Sequence, residues 1–128
     1  MLKKIYTSNA PEPIGPYSQA IRNNELIFLS GQIPINPKSN KIDSENISDQ
    51  TQQVFKNIKE ILNAENTSFN KVIKTTVFLT DLDNFKIVNE IYSSYFNNDT
   101  PPARSTIEVS ALPMNSLIEI EMIVCNEE

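Results

Sequence analysis

Arg104 and Glu119 are two side chains whose types and placement could do chemistry on a small anion. Arginine presents a planar fork of donors that matches a carboxylate. A glutamate can take a proton from an attacking water. Arg104 stands in Pro101-Pro102-Ala103-Arg104-Ser105-Thr106-Ile107-Glu108-Val109, and Glu119 in Leu117-Ile118-Glu119-Ile120-Glu121-Met122-Ile123-Val124. The two prolines stop whatever precedes them, because proline lacks a backbone donor and disfavours a helical residue before it. The second segment alternates acidic and apolar residues with period two, the pattern of a strand. Ala111-Leu112-Pro113-Met114-Asn115 is short enough to join neighbouring strands, an arrangement that would bring Arg104 close to Glu119. A plainer reading also fits: Arg104 pairs at the surface with Glu108, Glu119 or Glu121, and the last two form a solvated sheet face.

Other residues could join such a site, each with a bland alternative. Tyr17 follows the rigid Ile14-Gly15-Pro16 and can donate one phenolic hydrogen bond, or it plugs the space under a loop. Ser30 and Gly31 end an apolar strand; Gly31 lets a ligand approach the backbone, or simply ends the strand. Asn89 lies at the edge of a helical apolar stripe, where a half-buried polar residue is ordinary. Ser105 and Thr106 offer hydroxyl and amide hydrogens. Cys125 reads as a buried, inert thiol.

Composition removes several function classes. The chain of 128 residues has no histidine and one cysteine. Imidazole bases, His-containing zinc sites and internal disulfides are thereby excluded. Net charge is −5 without a basic cluster, which argues against binding nucleic acid. Only two glycines are present, so no glycine-rich phosphate loop exists. No apolar run reaches membrane-spanning length, and Met1-Leu2-Lys3-Lys4 opens no apolar signal core, so the expected compartment is cytoplasmic.

The elements that must position these residues follow from pattern. Lys3-Lys4-Ile5-Tyr6 reads as an edge strand, and the proline-rich Ala10–Tyr17 as a fixed loop. Ser18–Arg22 and Leu26–Ser30 form a hairpin about Asn23-Asn24. Ser48 or Asp49 caps a helix running to about Ala64, with the stripe Ile47, Thr51, Val54, Phe55, Ile58, Ile61 and Leu62. Asn66 stops it. Lys71–Thr80 is a β-branched central strand. Asp81 and Asp83 cap a second helix, about Asn84 to Phe96. The order β, β, β, α, β, α, β, β suits one domain over 1–128, an α+β layer with two helices on one face of a sheet. The strands carry apolar or threonine side chains on both faces, with Ile73, Val77 and Leu79 opposite Val72 and Phe78. Two helices cannot cover both faces, so oligomerisation through the open one is expected.

Ile14–Ala20, Ser30-Gly31-Gln32-Ile33-Pro34, Lys74–Leu82, Pro102-Ala103-Arg104-Ser105 and Ile118-Glu119-Ile120-Glu121 together resemble the RidA (YjgF) family, over about Ile5 to Val124. The resemblance implies a chorismate-mutase-like fold, a mixed sheet and a homotrimer with sites in clefts between subunits. It implies hydrolysis of 2-imino acids, such as 2-iminobutanoate and 2-iminopropanoate, to 2-oxo acids and ammonia, with no cofactor and no metal. Arg104 then matches the carboxylate-binding arginine and Glu119 the glutamate that positions water. Tyr17, Ser30, Gly31 and Asn89 match cleft residues, with Tyr17 steadying the intermediate. Thr106 stands where relatives often carry cysteine; its backbone can serve if that position works through amide and carbonyl. Two other readings stay open: a non-catalytic trimer that binds 2-oxo acids or amino acids and regulates a partner, and nucleic-acid cleavage, which the acidic charge disfavours.

Overall fold

The computed structural model describes residues 1–127. Strands β1 (Leu2–Ile5), β2 (Ala20–Asn23) and β3 (Leu26–Gln32) precede helix α1 (Ile47–Ala64). Strand β4 (Val72–Leu79), helix α2 (Phe85–Tyr95), β5 (Ala103–Glu108) and β6 (Ile118–Cys125) follow. The expected order of elements is the observed one. All six strands form one sheet in the order β1-β2-β3-β6-β4-β5. Only β4 and β5 run parallel; the other neighbours are antiparallel.

The expectation that the strands of Arg104 and Glu119 are neighbours fails. β4 lies between β5 and β6. A parallel pair needs a long crossover, and α2 supplies it between β4 and β5. That connection commits one edge of β4 to β5. The chain from Val109 to Leu117 then rounds the end of β4: Val109 N–H donates to Leu79 O and Thr80 N–H to Leu117 O. β6 enters on the far edge of β4 and pairs with β3 as well.

Local chemistry explains the helices. The Asn46 side chain caps α1 by accepting from Ser48 N and Asp49 N, so the cap is Asn46 rather than Ser48 or Asp49. Asn66, at φ 55°, ends the helix in the left-handed region. Asp81 accepts from Asp83 N and opens a 3-10 turn, Leu82–Asn84, before α2 proper begins at Phe85.

Both helices pack on the same face. Val54, Phe55, Ile58, Ile61, Leu62, Val88 and Tyr92 meet Ile27, Leu29, Val77, Leu79, Ile118, Ile120, Met122 and Val124 in one core. Each large side chain fully removed from water contributes about 1.5–3 kcal/mol. Strict alternation puts Ile73 with Val77, but a register shift between Val72 and Lys74 reverses that. Ile73 points away from the helices and is 47% exposed. Phe28 and Ile107 are also exposed, and Phe78 and Ile123 half-buried, on the uncovered face. Among the described residues, no helix is long and apolar enough to cross a membrane.

Candidate functional site

Arg104 is the second residue of β5, paired in register with Thr75 of β4. Thr75 is fully buried on the helix side, so Arg104 also rises on that side. There α2 receives it. Phe85, Asn89 and Tyr92 are spaced by four and three residues and share a helix face. The Arg104 guanidinium lies 4.7 Å from the Tyr92 ring centroid and 5.4 Å from that of Phe85. Its Nη1 donates to Asn89 Oδ1 at 2.7 Å. Tyr92 is held in turn by a 2.7 Å hydrogen bond between its hydroxyl and Thr75 Oγ1. Burial keeps the Tyr92 phenol protonated by raising its pKa, against the opposing pulls of Thr75 and the Arg104 charge. The result is a cation on an aromatic shelf with its orientation set. One of five guanidinium N–H groups is used on Asn89; the side chain stays exposed and can take an anion. Thr106 lies two residues on, and its buried hydroxyl has no hydrogen-bond partner.

Glu119 belongs to a different cluster. Its neighbours Ile118 and Ile120 are fully buried against the helices, so Glu119 projects from the opposite face. Counting rows through Thr75 and Met122, the Arg104 and Glu119 backbones are roughly 14 Å apart within the chain. The two residues therefore do not share a hollow in one protomer.

Glu119 lines a cavity of about 520 Å³ together with Tyr17, Ser30 and Gly31. A Cβ on Gly31 would lie 2.0 Å from Glu119 Oε2 and 2.8 Å from Cδ, so the carboxylate rests where only glycine leaves room. Burial, with the nearby Glu121 charge, raises the Glu119 pKa. A carboxylate so placed is a better proton acceptor than an exposed one. It is not the solvated acid of the plainer reading, although Glu121 is exposed.

The remaining cleft residues are placed by their loops. The Ser30 hydroxyl donates to Ser18 O at 2.6 Å, which ties it to the segment leading into β2. Tyr17 is half exposed; its hydroxyl accepts from Ile14 N–H at 3.3 Å. Gly15 sits at φ 126°, a conformation that favours glycine, and this folds the loop back on itself. Cys125 is half-buried rather than buried.

Several contributors have no clear mark in the sequence. Buried Gln19 holds the proline-rich loop: its Nε2 donates to Thr7 O, Ala10 O and Pro11 O, and its Oε1 accepts from Thr7 N–H. Met114, at φ 56°, and Glu12 also line the cavity. The Phe85–Tyr92 shelf was legible in principle, as aromatic residues flanking Asn89 at helical spacing. Among the described residues, the one grouping with metal-ligand proximity is Glu25, Cys125 and Glu127, by the β2–β3 turn and the end of β6, remote from both clusters.

Three comparisons relate the chain to known proteins. The sequence model of a family described as endoribonuclease L-PSP matches residues 7–126. The chain is 52% identical to a RutC family protein of Pyrococcus horikoshii over 127 residues, spanning 99% of this chain and all of that one. It is also 52% identical to the chloroplastic Reactive Intermediate Deaminase A of Arabidopsis thaliana over 119 residues, 93% of this chain and 63% of that longer one. The crystal structure of a conserved Rid family protein from Yersinia pestis superposes with a TM-score of 0.95 at 49% identity, covering 98% and 99% of the two chains.

Proposed function

The chain belongs to the endoribonuclease L-PSP family, whose members include a reactive intermediate deaminase, and on that premise we propose that it hydrolyses short 2-imino acids to 2-oxo acids and ammonia. The substrates in view are 2-iminobutanoate and 2-iminopropanoate. One observation supports the reading: Arg104 on its aromatic shelf and Glu119 beside its cleft lie on opposite faces of the sheet, and we read them as two halves of such a site. One half offers a pre-oriented cation for a carboxylate. The other offers a partly buried carboxylate base beside a cleft.

A second copy completes both. When the Arg104 face of one copy closes over the Glu119 cleft of the next, the contact joins two different patches. Repeated contacts of that kind generate a ring when the rotation between copies closes. We take the ring to be the homotrimer that the family resemblance implies, with the uncovered apolar side chains Phe28, Ile73 and Ile107 favouring association.

The chemistry then proceeds without a cofactor. Arg104 binds the substrate carboxylate and fixes the C=N carbon, while Asn89 and the aromatic shelf restrict the guanidinium. Glu119 takes a proton as a water oxygen bonds to that carbon, and the C=N π electrons move to nitrogen. Glu119 returns that proton to nitrogen, then takes the proton of the new hydroxyl and passes it to the amine, so that ammonia leaves as the C–N bond breaks and the C=O bond forms. Tyr17 and the Thr106 amide steady the tetrahedral intermediate.

The test is a coupled assay in which a threonine dehydratase releases 2-iminobutanoate and semicarbazide traps it. The protein should suppress semicarbazone formation, and Arg104→Ala should not. Mixing tests the shared site. Trimers reassembled from equal amounts of Arg104→Ala and Glu119→Gln chains regain about a quarter of the native sites if each site takes one half from each of two copies. No recovery from demonstrably mixed trimers would refute the shared site. A binding module that only senses 2-oxo acids predicts, instead, that Glu119→Gln is silent.

A further inference from the structure

We propose that Glu12 selects the substrate side chain: the cleft accepts 2-imino acids with an apolar side chain and turns away those carrying a second carboxylate. The inference rests on the deaminase reading above. Glu12 lines the same cavity as Glu119, with no lysine or arginine among its lining residues. The reacting carboxylate has its own cation, Arg104 of the neighbouring copy. A second carboxylate on the substrate has none, and meets Glu12 instead.

The position of that charge is fixed from two sides. Glu12 lies between Pro11 and Pro13, in the loop that Gln19 pins through Thr7, Ala10 and Pro11. Its carboxylate accepts a hydrogen bond from the Tyr6 hydroxyl, and the phenol pKa is correspondingly raised. A neutral donor orients the carboxylate and leaves its charge in place. Ile14, Ile33, Ile35, Pro113 and Met114 form an apolar part of the wall, beside the neutral polar groups of Gln19, Gln32, Ser30 and Tyr17. In a single copy, before the neighbour closes over it, the cavity measures about 520 Å³, in the range of pockets that hold ligands much larger than a four-carbon acid. On this inference side chains of leucine or methionine size have apolar contact along that wall.

The experiment compares two imines made in situ by amino acid oxidases, one from leucine and one from glutamate, with semicarbazide as trap. Wild-type protein should accelerate hydrolysis of the leucine-derived imine and act much less on the glutamate-derived one. Glu12→Gln should raise kcat/KM for the acidic imine relative to the apolar one by roughly severalfold, the effect of removing one charge from a partly solvated wall. Glu12→Lys should raise it further. Added salt should narrow the wild-type preference, which a purely steric wall would not allow. Equal action on both imines by wild type, or an unchanged ratio in both variants, overturns the role of Glu12 while leaving the deaminase reading intact. Failure of wild type on both imines while it still hydrolyses 2-iminobutanoate overturns this inference alone; failure on 2-iminobutanoate as well overturns the deaminase reading, and this inference with it.

Discussion

Gly31→Ala should separate catalysis from folding in this protein. The Gly31 backbone is not in the left-handed region, so alanine can adopt it without strain. The new methyl would occupy space 2.0 Å from Glu119 Oε2, 2.8 Å from Cδ and 3.1 Å from Cγ. Those atoms belong to one flexible side chain facing a cavity, so Glu119 moves rather than the strand. A carbon and a carboxylate oxygen need more than 3 Å between them, so the displacement exceeds about 1 Å. Misplacing a reacting group by that much can cost about a hundredfold in rate. Stability should hold or improve slightly, by up to about 1 kcal/mol, because alanine narrows the unfolded ensemble. Trapped imine reports rate and thermal unfolding reports stability. The expected pair is a roughly hundredfold loss of acceleration with an unchanged or raised Tm. Full activity would show that Glu119 need not sit over Gly31. Loss of activity together with a large fall in Tm would show that the close approach is structural.

Other substitutions probe the same geometry. Arg104→Lys keeps the charge but loses the planar fork and its stacking on Tyr92, so kcat/KM should fall at least about tenfold; native rates would remove the bidentate role. Because burial raises the Glu119 pKa, folding favours its protonated form, and ionisation costs stability above the ordinary glutamate range. Glu119→Gln should therefore raise Tm at neutral pH, with the gain vanishing as pH falls below that range, whereas wild-type activity should fall with an apparent pKa above that of an exposed glutamate. Glu65 behaves oppositely. Burial disfavours its charge, but hydrogen bonds from Arg22 at 2.8 Å and Lys3 at 3.0 Å outweigh that and lower its pKa. Its contribution is present above the ordinary glutamate pKa and is lost as pH falls through the lowered one. Glu65→Gln should cost about 3 kcal/mol at neutral pH, by denaturant unfolding, and progressively less in acid.

Much of the architecture was legible because it is local. The α1 stripe from Ile47 to Leu62 has helical period, and Asn66 supplies a stop through its tolerance of positive φ. The alternation in Ile118–Val124 fixes which side chains of β6 enter the core whatever strand lies beside it. Asn46 was missed as the cap because Ser48 and Asp49 are equally good capping types; only the helix start distinguishes them. Ile73 was assigned to the wrong face because a bulge adds one residue that no periodicity reveals.

The site divides along the same line. Residue chemistry by itself bounded what could react: with no histidine and a lone cysteine, imidazole and thiolate-cluster chemistry were out, and Arg104 and Glu119 stayed as candidates whose roles the family resemblance supplied. Spacing along the chain could not say how they meet. Which strands are neighbours depends on the α2 crossover, which sets β4 between β5 and β6. Which face each side chain takes depends on the registers of β4 with both. Strand neighbours and registers are settled by pairing between distant segments, and so tertiary structure alone decided that Arg104 and Glu119 stand on opposite faces.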